Sequence, residues 1–249
     1  MFLRYKRKDK PKLIKHKFNT EERKKIIRYT IPITLLGLVL PFSQIVDGIL
    51  TVNILDGYLD NAISLYGLLS GVVLTIINLP VGICHGIATS TIPAISKEEN
   101  LEQKNKKAAK VLMLTLVTSV VFAFAIYFFA PIIIRILFAS LSEENRQTAI
   151  SLLRLTAFSI VFLSILQTGN AVLIAMDSIY LPLVCLSIGV IIKTVLNILL
   201  LGDRRLNIYG GGIAIIACYF FACLVNLCMI IAKENCYARK KIANRQQNA

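Results

Sequence analysis

The sequence predicts an all-α membrane protein with about six transmembrane helices, and three observations carry that reading. Hydrophobic residues make up 56% of the chain against 17% charged, and the mean hydropathy is +0.68. The apolar residues come in long uninterrupted blocks instead of being spread around one water-facing core. The basic residues gather in the two tails and in one loop between blocks. A bilayer offers backbone amides no water, so each block of ~20 residues crossing ~30 Å of hydrocarbon must be helical.

Residues 1–29 carry 12 Lys/Arg and read as a basic cytoplasmic tail or linker held near anionic lipid. Thr20 is placed to cap a short helix running into the membrane. The transmembrane part is expected over residues 30–232. Its first span covers 30–53, with Pro32 and Pro41 inside, and an acidic loop around Asp56 and Asp60 follows. The second block, 63–95, is too long for one straight span, and Pro80, Gly82 and Gly86 suggest that it tilts, kinks or has an interfacial first turn. A loop with five lysines between Lys97 and Lys110 leads to the third span, 111–131, after which Ile132–Phe138 reads as an interfacial segment. The fourth, fifth and sixth spans are expected at 149–175, 180–201 and 211–232, followed by a second basic cytoplasmic tail, 233–249.

Orientation follows from counting Lys and Arg. One side receives 22 of the 28, from both tails and the 96–110 loop, so that side is expected to be cytoplasmic, with the chain in the cell membrane and both termini inside. The net charge of +14 does not indicate nucleic acid, because the bases flank membrane blocks. Five of the six cysteines lie in apolar blocks without CxxC spacing and read as small buried hydrophobes. Two histidines exclude a histidine-rich metal site. No Walker, HExxH, nucleophile-elbow or Rossmann pattern is present, so no cofactor is expected and enzyme chemistry has no visible support.

The informative residues are those that cost energy where they sit, since a charge near the bilayer centre costs ~2.5–3.5 kcal/mol on insertion scales. Lys193 lies roughly 4 Å outward of the middle of the fifth span at 1.5 Å per residue, with Asn197 at i+4 on the same face. It reads either as a cation lining a polar cavity or as a snorkelling or ion-paired lysine. Asp47, in the outer half of the first span behind Ser43 and Gln44, reads as a partner for Lys193, a site for a coupling ion or proton, or a hydrogen-bonded acid near the interface. Arg154 enters the fourth span from outside, roughly 10 Å above its centre, and Arg135 lies near the same interface. Both read as members of a cationic chamber with Lys193 or as interfacial anchors. Gln167 and Asn170 share a helix face suited to interhelical hydrogen bonds, and His85 is expected as a packed neutral histidine. A cationic outer-half chamber would suit a phosphate or pyrophosphate head group.

Several segments resemble a known family. They are Ala62–Gly71 followed by Ile77-Asn78-Leu79-Pro80, the run Ala88-Thr89-Ser90-Thr91-Ile92-Pro93-Ala94-Ile95-Ser96, Gly189–Asn197, and Asn207-Ile208-Tyr209-Gly210-Gly211-Gly212. Over residues 25–232 they resemble the polysaccharide-biosynthesis and stage V sporulation protein B-like branch of the multidrug/oligosaccharidyl-lipid/polysaccharide (MOP) flippase superfamily, which also holds lipid II flippases. The resemblance implies two six-helix lobes around a central cavity, with this chain similar to the second, MATE-like lobe. It also implies a complementary first lobe or a second copy as partner, since one lobe cannot enclose a substrate. The function it implies is movement of an anionic lipid-linked saccharide or peptidoglycan precursor to the outer leaflet. A cation-coupled drug exporter of the same superfamily and a non-transporting assembly partner or fragment are the alternatives. Tags on Met1 and Ala249 should stay inaccessible to impermeant reagents in intact cells, and labelling of either from outside would overturn the orientation.

Overall fold

The computed structural model describes residues 20–98 and 100–247, and the described residues form helices and turns without a strand. The part of the expected basic tail before residue 20 lies outside them, as do the side chains beyond Lys233. The chain runs through α1 (Thr20–Asp56), α2 (Ala62–Gly67), a π-helical segment (Leu68–Val73), α3 (Leu74–Ser96), α4 (Leu101–Leu137), α5 (Glu143–Thr156), α6 (Ser159–Ala175), α7 (Tyr180–Leu201) and α8 (Ile208–Gln247). Five stretches are long and apolar enough to cross a membrane: Ile26–Asp56, Ala62–Ser96, Glu102–Leu137, Tyr180–Leu201 and Ile208–Lys233. Helices α5 and α6, bent by 49° at their junction, supply a sixth when taken as one span.

The irregularities fall at other places than the prolines suggested. In the second span the break is the π-helical segment, where the Ser70 hydroxyl donates to the Tyr66 carbonyl at 2.9 Å, while Pro80 and Pro93 sit inside a continuous α3. Helix α4 likewise runs through Pro131 to Leu137, so Ile132–Leu137 is its last part and not a separate interfacial segment. A proline removes one backbone donor, and a membrane-embedded helix that re-satisfies the freed carbonyl loses less than one that stops. The α5–α6 bend has neither Pro nor Gly; the Thr156 hydroxyl there donates to the Leu152 carbonyl at 2.7 Å, a bond that bends helices.

Helix starts outside the membrane carry their own caps. Asn100 Oδ1 accepts from the Glu102 amide at 3.1 Å at the head of α4. Ser142 Oγ accepts from the Asn145 amide at the head of α5, whose first turn holds Glu143 and Glu144 against the positive helix end. The loops around Tyr58 and Arg204 are tied down as well. Tyr58 donates to the Leu201 carbonyl at 2.8 Å, and Arg204 lies 5.7 Å above its ring. Burial raises the Tyr58 phenol above its ordinary value, and the Arg204 charge opposes this.

The core lies where α3, α6, α7 and α8 meet, around the buried Ile77, Leu163, Leu166, Cys218 and Ala222. Lipid tails are as apolar as leucine, so close backbone approach and buried hydrogen bonds replace the hydrophobic drive between helices. Gly189 provides that approach between α7 and α8: a Cβ there would stand 2.7 Å from the Ala222 Cβ and 2.9 Å from the Cys218 carbonyl oxygen. Cys84, Cys185, Cys218 and Cys223 are buried free thiols, whereas Cys228 is exposed on the surface of α8, contrary to the expectation for apolar-block cysteines. Helix α1 joins this core through Leu55 near its end, while the residues before Pro41 are mostly exposed, with Leu36, Val39 and Leu40 packed only partly against it.

Gly189→Ala should lower stability by about 1–3 kcal/mol through overpacking. Gly82→Ala, at a helical glycine with nothing within 4 Å of the new methyl, should raise it by about 0.5–1 kcal/mol. Thermal unfolding in detergent checks both, and equal effects at the two positions would remove Gly189 from the α7–α8 contact.

Candidate functional site

Two i,i+4 pairs meet in the seam between α1 and α7. Ser43 and Asp47 line one turn of α1, and Lys193 and Asn197 line one turn of α7. The Lys193 ammonium donates to Asp47 Oδ2, and Asn197 Nδ2 donates to Asp47 Oδ1 at 2.8 Å. Ser43 Oγ stands 3.4 Å from both Lys193 Nζ and Asp47 Oδ2. Lys193 is 4% exposed and Asp47 7%, so the lysine is neither snorkelling nor lining an open chamber. It is one half of a buried ion pair.

The carboxylate is therefore spoken for on both oxygens. Beyond it, Thr51, Tyr66 and Ser70 close a cavity of about 10 Å³, room for one water-sized group. Tyr66 donates to the Gln44 carbonyl at 2.9 Å, and its ring lies against Gly48, where a Cβ would meet it at 3.1 Å. The π-helical span is thus latched to α1 at the same level as the ion pair.

Of the sequence-predicted residues, the structure brings Lys193, Asn197 and Asp47 together and leaves Arg154 and Arg135 elsewhere. Arg154 is exposed on α5, 5.9 Å over the Tyr127 ring of α4, and Arg135 is exposed in the last turn of α4. The chamber expected from the three bases does not assemble, because α4 and α5 pack on α3, α6 and the π-helical segment, away from the α1–α7 seam. Asn170 accepts from Asn226 Nδ2 at 2.7 Å, an interhelical bond between α6 and α8.

A second feature escaped sequence reasoning. In the half of the molecule toward the Ser96 and Ala175 helix ends, α1 leaves a cavity of about 430 Å³ against α3, α6 and α7. Ile33, Leu36, Leu40, Ile174 and Leu186 make it mainly apolar, and Gly37 leaves it wide. His85 of α3 and Gln167 of α6 line it without a hydrogen-bonding partner among the described residues. His85 is exposed there, not packed as expected. The signal available in sequence was its position one turn before Thr89 in a span whose covered face is marked by Cys84 and Ala88.

The described residues form an all-helical lobe of up to six candidate spans with a groove beside α1. Solved structures share this fold. The chain aligns with TM-score 0.76 and 17% identity over 89% of its length to a MATE in complex with MaL6, covering 49% of that chain. It aligns with TM-score 0.70 and 18% identity over 85% of its length to a MOP superfamily transporter from Pyrococcus furiosus whose binding pocket is described as reversed in polarity, covering 45% of that chain. An outward-facing multidrug resistance MATE transporter gives TM-score 0.70 at 19% identity, with 85% and 45% coverage. The chain thus spans about half the length of these structures. Within that superfamily it belongs to the lipid II flippase family MurJ, which matches residues 1–246. No curated protein matches the chain.

Removing one partner of the buried pair, as in Asp47→Leu or Lys193→Met, should cost about 3–5 kcal/mol. The double variant Asp47→Leu/Lys193→Met should recover most of that loss, and chemical unfolding in detergent measures the coupling. Additive losses would mean that the two side chains do not share a charge-neutral site.

Proposed function

We propose that the chain forms one lobe, the second, of a flippase that carries a lipid-linked saccharide of the peptidoglycan-precursor class from the cytoplasmic to the outer leaflet. Family membership supports the lipid-linked class, and the single observation that carries the reading to this chain is the α1–α3–α6–α7 groove. It is apolar along its length and bears two unpaired hydrogen-bonding groups, His85 and Gln167, which suits an amphiphile with a polar head and an isoprenoid tail. With both termini cytoplasmic, the groove opens in the inner half of the membrane, where such a substrate is made available. The partner is a complementary first lobe or a second copy, and alternating access is the rocking of the two around the shared groove.

The Asp47 carboxylate argues against the cation-coupled exporter. Such a transporter needs an acid free to bind and release its ion, and Lys193 and Asn197 already satisfy this one. Energy would come from membrane potential or the substrate gradient, as the chain carries no nucleotide-binding loop.

Gly37 offers a clean probe, because a Cβ there has nothing within 4 Å and larger side chains grow into the groove. In liposomes holding the chain and its complementary lobe, Gly37→Trp should cut flux of labelled polyprenyl-pyrophosphate sugar at least about tenfold, the equivalent of roughly 1.4 kcal/mol. Gly37→Ala should leave flux unchanged. Flux untouched by tryptophan would take the groove out of the path, and absence of flux in every combination of lobes would favour an assembly partner.

A further inference from the structure

Arg135 and Arg154, excluded from the ion-pair site, share a different surface. Phe124, Phe128 and Arg135 are spaced i, i+4, i+11 on α4, and eleven residues make close to three helical turns, so the three form one stripe. Helix α5 lays Arg154 against it, and Phe158 follows at the α5–α6 junction. Arg154 covers Tyr127 at 5.9 Å, and the Phe158 ring stands 6.2 Å from Phe124 and 5.9 Å from Tyr127. Phe128 is 67% exposed and Phe124 49%, so the aromatic floor faces outward from the lobe and not into its core. Tyr127, beneath Arg154, precedes Arg135 by eight residues, which is about 12 Å of helix axis and about 80° of turn, so the two arginines flank the aromatic stripe from neighbouring faces. Neither arginine has a carboxylate partner among the described residues.

A guanidinium in a membrane-spanning stretch is costly unless it reaches the interface or an anion comes to it. No carboxylate of the described residues pairs with either arginine, and on α4 the exposed neighbours Phe124, Phe128, Ile132 and Ile136 are apolar. The anion available at that depth is a lipid phosphate, and a guanidinium fork fits phosphate oxygens in two places at once. The exposed rings below it offer contact to a hydrocarbon chain. We propose that this α4–α5 face binds an anionic phospholipid of the outer leaflet, its phosphate held between Arg135 and Arg154 and its acyl chains lying on Phe124 and Phe128. The site shares no residue with the groove and does not depend on what the lobe transports.

The chain has no tryptophan, so Phe124→Trp places a single reporter on this face. In vesicles of phosphatidylcholine doped with brominated lipid, quenching by brominated phosphatidylglycerol should reach half its maximum at a mole fraction roughly 25-fold lower than quenching by brominated phosphatidylcholine, as two basic residues at about fivefold each imply. Arg135→Gln and Arg154→Gln should each shrink that preference about fivefold, the equivalent of roughly 1 kcal/mol per basic residue. The Arg135→Lys/Arg154→Lys protein should keep most of it, which separates charge from damage to the fold. If the double glutamine variant does not insert, the single variants carry the comparison. Equal quenching by the two lipids, or a preference that survives glutamine, overturns the site. Displacement by added polyprenyl phosphate without any phosphatidylglycerol preference also overturns it and gives the face to the transported class of lipid.

Discussion

A charge inside a bilayer must find its counter-charge within reach of its own side chain, and the Asp47–Lys193 pair is where this chain meets that constraint. The net worth of such a pair is small, because desolvation offsets most of the attraction. Breaking it is expensive, because either partner alone is an uncompensated charge. The pair therefore acts less as glue than as a register device. Helix α1 can seat on α7 only where Ser43 and Asp47 face Lys193 and Asn197, and a shift by one residue turns the carboxylate into hydrocarbon.

That register divides the lobe by depth. Toward the Asp56 end of α1, the ion pair, the Tyr66–Gln44 bond and the Tyr58–Leu201 bond hold α1, the π-helical span and α7 together. Toward the start of α1, the residues before Pro41 are mostly exposed, only Leu36, Val39 and Leu40 pack partly on the core, and the groove opens between α1 and α3, α6 and α7. Small-residue contacts hold the remaining helices. Gly189 seats α7 on α8, and the Asn170–Asn226 bond joins α6 to α8 behind the groove.

The all-helical fold was legible because the bilayer leaves so few alternatives: an apolar block of sufficient length has to be a helix. The partnership of Asp47 with Lys193 was legible as one of several options, since depth alone put both in the outer half of neighbouring spans and i,i+4 spacing aligned Asn197 with the lysine. Where helices bend was not legible. Proline is a local signal, and helices α3 and α4 absorb Pro80, Pro93 and Pro131, while the π-helical segment and the Thr156 junction depend on packing between α5, the π-helical segment and α8. Depth without azimuth misplaced the arginines: Arg154 and Lys193 sit at comparable levels on helices that face different ways. His85 failed for the same reason, because which side of α3 is covered depends on where α1 stands away.

The two sets of outer-half charges then show how one membrane lobe settles like problems in opposite ways. Lys193 is 4% exposed and is satisfied by protein, through Asp47. Arg154 is left facing out, its guanidinium softened by a tyrosine face that attracts but does not neutralise it. A buried pair tolerates no exchange of partners, whereas an arginine on an aromatic shelf tolerates many. Positive charge that has to communicate with the bilayer belongs on the second kind of site, and positive charge that has only to fix a helix belongs on the first. The sequence spends its scarce membrane-depth bases on one of each.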